Sequence, residues 1–99
     1  MAQCADTIKR LSLELGGSAP FIVFDNADID LEIDGIMASR FRNGGQTCVC
    51  ANRIYVQSGI HDTLVAKLVE RTNALKVGDG FGESTDIGPM INEAALQKN

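Results

Sequence analysis

Two short strand-like runs, each followed by a stretch with apolar residues at helical spacing, set the fold class of this 99-residue chain. Pro20-Phe21-Ile22-Val23-Phe24 is apolar, short and bounded by turn residues, the pattern of a buried strand. Asp25-Asn26-Ala27-Asp28 then supplies side chains able to satisfy the first free amides of a helix. Ile29, Ile33, Ile36, Met37 and Phe41 mark one apolar face of that helix. Asn43-Gly44-Gly45 ends it, because glycine accepts the left-handed turn a helix C-terminus needs. Arg53-Ile54-Tyr55-Val56-Gln57 alternates and predicts a second strand. Ser58-Gly59 is expected to cap a second helix, on which Ile60, Leu64, Leu68 and Leu75 recur with Val65 alongside. Strands alternating with helices predict an α/β fold with a parallel-type sheet.

The flanks are less regular. Residues 1–9 are expected to form a short helix, followed by an extended Leu11-Ser12-Leu13-Glu14-Leu15 that Gly16-Gly17 breaks. Gly78-Asp79-Gly80-Phe81-Gly82 predicts a loop, residues 87–91 a turn or short extended segment, and residues 92–99 the start of another helix. No first strand is evident and the last helix is unfinished, so the chain is expected to be part of a larger domain. Its length leaves room for one domain with a modest core.

A formal net charge of −4 argues against a nucleic-acid partner and against anionic membranes. No apolar run approaches the roughly 20 residues of a membrane span, and Met1-Ala2-Gln3-Cys4-Ala5-Asp6 lacks the basic and apolar regions of a signal peptide. Cys4, Cys48 and Cys50 are odd in number, so they form no complete disulfide set. A reducing setting is expected, cytoplasmic first, with mitochondria left open.

Two Gly-rich motifs carry the chemistry. Leu13-Glu14-Leu15-Gly16-Gly17 puts a carboxylate beside two glycines, and Phe41-Arg42-Asn43-Gly44-Gly45-Gln46-Thr47-Cys48-Val49-Cys50 puts a thiol in a glycine turn, 48 − 14 = 34 residues on. A thiol and a carboxylate so placed suit a nucleophile and a general base acting on one carbonyl. Glu14 is flanked by Leu13 and Leu15, apolar surroundings unusual for an idle carboxylate. The amides of Gln46 to Cys48 are expected to face a developing oxyanion.

These residues resemble the aldehyde dehydrogenase superfamily, with the first motif like its glutamate signature and the second like its cysteine signature. The likeness runs along nearly the whole chain, through Pro20-Phe21-Ile22-Val23-Phe24-Asp25 and Asp86-Ile87-Gly88-Pro89-Met90. Arg42-Asn43 before the cysteine and Thr47-Cys48-Val49-Cys50-Ala51-Asn52-Arg53 around it are most similar to the succinate-semialdehyde dehydrogenases. Ser18 departs from the Asn or Lys usual after the second glycine.

The resemblance implies a partial catalytic domain. Residues 1–15 would close the cofactor-binding domain or form its junction, and residues 16–99 would open the catalytic domain. It implies Cys48 as nucleophile, Glu14 as general base, Arg42 as the group binding a substrate carboxylate, and Leu15 and Gly16 near the nicotinamide of NAD or NADP. A small aldehyde, best succinate semialdehyde, is the implied substrate, and the whole enzyme is expected to be a homo-oligomer. The 99-residue chain alone is expected to be inactive. Cys50, two residues from Cys48, is expected to act as a regulatory thiol that bridges to Cys48 under oxidation, because so small a ring is strained and easily reduced.

Three other readings compete. A metal site from Cys4, Cys48, Cys50 and His61 is disfavoured, because a CxC pair with two isolated residues lacks the usual paired spacings. A Cys-His hydrolase using His61 lacks a nucleophile elbow around Cys48. A pure interaction fragment would dock the apolar faces of its two helices on a partner.

Overall fold

The structure is a computed structural model describing residues 2–98. Its regular elements are strand β1 (Ala19–Val23), helix α1 (Ile29–Arg40), strand β2 (Ala51–Val56), helix α2 (His61–Asn73) and helix α3 (Glu93–Lys98), with short 3-10 turns at Ala2–Cys4 and Arg42–Gly45. The strands pair in parallel, with α1 in the connection between them. This is the α/β arrangement the alternation predicts.

The strand register slips at its first step. Ala19 faces Ala51 but Pro20 faces Arg53, so the offset grows from 51 − 19 = 32 to 53 − 20 = 33 and Asn52 is left over. Proline has no N–H to give the ladder, and a bulge near a strand start is one of the few places a sheet accommodates it. From there Phe21 pairs with Ile54 and Val23 with Val56. These four point toward the helices, where Val23, Ile33, Ile36 and Leu64 form the buried centre. The opposite face carries Ile22, Phe24 and Tyr55, each more than half exposed.

Helix α1 begins as predicted. Asp28 caps it, its Oδ1 accepting from the amides of Asp30 at 3.1 Å and Leu31 at 3.2 Å. The start of α2 differs from expectation: Ile60 is the cap residue, no side chain caps the helix, and Ser58 lies further upstream. Asp62 in the first turn offers the only acidic partner there to the positive helix end. The helix stops at Asn73 rather than 75, and Leu75 closes a tighter turn by donating to the Thr72 carbonyl at 3.2 Å. Two surface ion pairs, Lys67–Asp30 and Arg71–Asp34 (2.9 Å), link α1 and α2. Exposed as they are, such pairs add little stability.

The expected helix over residues 1–9 is reduced to the 3-10 turn Ala2–Cys4, with Met1 outside the described residues. Residues 8–18 form an arm without regular secondary structure. The chain's radius of gyration is 17.8 Å, against about 13 Å for a self-contained domain of about 100 residues. Among the described residues, no helix is long and apolar enough to cross a membrane.

Candidate active site

The turn after α1 makes the first half of the site. Asn43, Gly44 and Gly45 follow one another with φ of 51°, 64° and 79°. Left-handed backbone is nearly free for glycine and tolerated by asparagine, so this sequence reverses the chain where most others would be strained. Gln46 then fastens the turn. Its Nε2 donates to the Asn43 carbonyl at 3.0 Å, and its Oε1 accepts from the distant Ile91 amide at 2.9 Å. The Gln46 amide is itself spent on the Asn43 carbonyl at 3.2 Å. Of the three amides expected to face an oxyanion, those of Thr47 and Cys48 alone stay uncommitted among the described residues.

The two thiols of this segment face opposite surroundings. Cys48 is exposed on the turn, whereas Cys50 is 0% exposed at the entry to β2. The Cys50 sulfur lies 2.8 Å from Thr47 Oγ1 and 3.9 Å from the Arg42 carbonyl oxygen. Both thiols are free. Joining them would require Cys50 to leave its contact with Thr47.

The arm supplies the second half. A Cβ added to Gly17 would overlap the carbonyl oxygen of Cys48, so only glycine lets the arm lie against the Cys48 backbone. Just beyond, Arg53 Nη2 donates to the Ser18 carbonyl at 2.8 Å, and the parallel pairing starts at Ala19 and Ala51. The two motifs, far apart in sequence, are therefore side by side. Glu14 is not enclosed by its apolar neighbours: it is exposed, with Leu13 56% and Leu15 71% exposed. The expectation of apolar surroundings is not met among the described residues, where Leu13 to Leu15 have no strand partner and stay open. Apart from its chain neighbours, no heavy atom lies within 4 Å of where a Gly16 Cβ would stand, so the backbone there is open.

Arg42 opens the 3-10 turn and is exposed. It lines a groove of about 490 Å³ between the ends of α1 and α2, together with Phe41, Arg71, Leu75 and Ile87, a groove whose lining does not include Cys48. His61 is the first residue of α2, with Nδ1 2.8 Å from Asp62 Oδ1. The sequence points to Gln46 for its amide and to Arg53 as a strand and signature residue; it does not announce their side-chain bonds to Asn43, Ile91 and Ser18.

Residues 1–99 match the aldehyde dehydrogenase family. The chain belongs to that family. A probable NADP(+)-dependent succinate-semialdehyde dehydrogenase of Sinorhizobium fredii is 61% identical over 98 residues, which are 99% of this chain and 20% of that protein. A 3-sulfolactaldehyde dehydrogenase of Pseudomonas putida is 55% identical over 98 residues, again 99% of this chain and 20% of the relative. The crystal structure of an aldehyde dehydrogenase from Brucella melitensis biovar abortus matches with a TM-score of 0.93 at 62% identity, covering 98% of this chain and 20% of that one. The chain thus spans about one fifth of the length of the relatives it matches. In this aldehyde dehydrogenase chain the arm and the outer sheet face lie exposed.

Proposed function

We propose that the protein carrying this segment oxidises an aldehyde to a carboxylate with NAD(P)+, and that the aldehyde bears a second, anionic group, with succinate semialdehyde the first choice. The observation that carries this reading is the contact of Gly17 with the Cys48 backbone, which lays the Glu14 arm beside an exposed thiol.

The residues divide the work as follows. Cys48, as thiolate, adds to the aldehyde carbon and forms the C–S bond. The amides of Thr47 and Cys48 are available to the oxygen that becomes negative. A nicotinamide, once bound, would supply the acceptor for the hydride lost as the C=O re-forms on the carbon held by Cys48. The thioester left on Cys48 is then hydrolysed: Glu14 takes a proton from water, the water oxygen adds to the carbonyl, and the C–S bond breaks to return the thiolate. Glu14 is exposed, so its carboxylate is open to such a water. Leu15 and the open surface at Gly16 are the residues that would hold the nicotinamide ring.

Arg42 is assigned to the substrate's distal anion, because a guanidinium pairs with a carboxylate through two donors. Succinate semialdehyde and 3-sulfolactaldehyde, named in the two relatives, both carry an anion at the end opposite the aldehyde. Residues 1–15 are read as the end of the cofactor-binding domain or its junction, residues 16–99 as the opening of the catalytic domain, and the whole enzyme as a homo-oligomer. Three free cysteines suit a reducing compartment, the cytoplasm first.

The test is intact-mass spectrometry of the full-length Glu14→Gln protein mixed with succinate semialdehyde and NADP+. An acyl adduct on Cys48 that accumulates only in this variant supports the assignment. A Glu14→Gln protein that turns over like the parent, with no adduct, removes Glu14 from the mechanism.

A further inference from the structure

Within this chain the arm that carries Glu14 has no regular structure of its own, yet a general base must return to the same place at every turnover. Its attachment to the sheet falls at an awkward point. The ladder slips between Ala19 and Pro20, Asn52 is left unpaired, and Pro20 has no amide to donate. Backbone pairing is therefore weakest where the arm leaves β1. Arg53, the residue facing Pro20, crosses this gap with its side chain: Nη2 reaches back two residues along the arm to the Ser18 carbonyl at 2.8 Å. The guanidinium also lies over the Tyr55 ring, whose centroid is 6.0 Å from Cζ. One residue beyond Ser18, Gly17 rests on the Cys48 carbonyl. Arg53 is also on the strand that Cys48 leads into, five residues downstream (53 − 48). A single side chain thus ties the base's arm to the nucleophile's strand.

We propose that Arg53 is a positioning residue, which through the Ser18 carbonyl holds the Glu14 arm at a fixed distance from Cys48. It touches no reacting atom. Its catalytic consequence rests on the dehydrogenase reading above; the clamp itself does not. Losing the clamp should loosen the arm while leaving the thiol's own turn, fastened separately by Gln46, in place. The step that uses Glu14 should then slow more than the step that uses Cys48 alone.

The experiment compares Arg53→Met and Arg53→Lys with the parent in the full-length dehydrogenase carrying this segment. Hydrogen exchange is read over residues 11–18, Cys48 alkylation by iodoacetamide reports the thiol, and single-turnover hydrolysis of the acyl-enzyme reports the base. For Arg53→Met, arm exchange should quicken by about 10-fold, alkylation should stay within about 2-fold of the parent, and hydrolysis should slow by about 10- to 100-fold, the scale of small misplacements. Arg53→Lys, which keeps stem and charge, should fall between, and it decides the matter if the Met variant does not fold. Unchanged arm exchange overturns the clamp, as does a loss of alkylation equal to the loss of hydrolysis, which would make Arg53 a support of the fold only. Faster arm exchange in a protein whose parent reduces no nicotinamide would uphold the clamp and remove the dehydrogenase reading.

Discussion

Gly17 lies so close to the backbone of Cys48 that one added carbon on Gly17 would overlap the Cys48 carbonyl oxygen. This contact joins the two motifs, and it makes a contrast within one glycine pair. Gly17→Ala in the full-length protein should push the arm and Cys48 apart, lowering kcat/KM by about 100-fold and stability by about 1–3 kcal/mol. Within this chain Gly16→Ala meets nothing within 4 Å, so it should lower the melting temperature less than Gly17→Ala, even if cofactor binding weakens. Melting curves and kcat/KM for the two variants check this; equal melting temperatures would contradict the close contact.

Arg42 offers its guanidinium from the first residue after α1's cap. Arg42→Ala should lower kcat/KM for succinate semialdehyde by about 10- to 100-fold, the worth of a charged hydrogen-bonded pair of about 1.5–3 kcal/mol. Turnover of an uncharged aldehyde of similar size should change little. Steady-state kinetics with both substrates decide it, and an equal loss on both would give Arg42 a structural role at the helix end.

Much of the fold was legible because it rests on local signals. The run from Pro20 to Phe24, the Asp28 cap and the spacing of Ile29, Ile33 and Ile36 need only their neighbours to be read. Residues 1–9 and the Ser58 cap misled because helix ends depend on packing as much as on side-chain chemistry. In the site, the glycine turns announced themselves, since few other residues adopt three left-handed conformations in succession. The setting of Glu14 could not be read, because burial is fixed by what covers an arm and not by its own leucines. The side-chain bonds of Gln46 and Arg53 were hidden for a related reason: their partners, Ile91 and Ser18, lie 45 and 35 residues away.

Ile36 is 0% exposed and sits among Val23, Ile33 and Leu64. Ile36→Ala should cost about 2–5 kcal/mol, since the removed methyl groups leave a cavity between the sheet and α2. Urea unfolding of the full-length protein would measure it. A cost below 1 kcal/mol, about that of losing a single methylene, would place Ile36 outside the packed centre.

Cys48 and Cys50 differ in their access to an oxidant. The Cys50 sulfur sits 2.8 Å from Thr47 Oγ1 and is closed to solvent, so peroxide should reach Cys48 first. If Cys50 then breaks from Thr47 and closes on Cys48, dithiothreitol should restore most activity in the parent and little in Cys50→Ser. Equal recovery in both proteins would leave Cys50 as a core residue without a regulatory part.

The most direct measurement follows NADPH and NADH absorbance when the full-length protein and its Cys48→Ala variant meet succinate semialdehyde with NADP+ or NAD+. Reduction of either cofactor by the parent, abolished in the variant while its melting temperature is unchanged, is the predicted result. Undiminished reduction by Cys48→Ala would show that this thiol is not the nucleophile and would contradict the account at its centre.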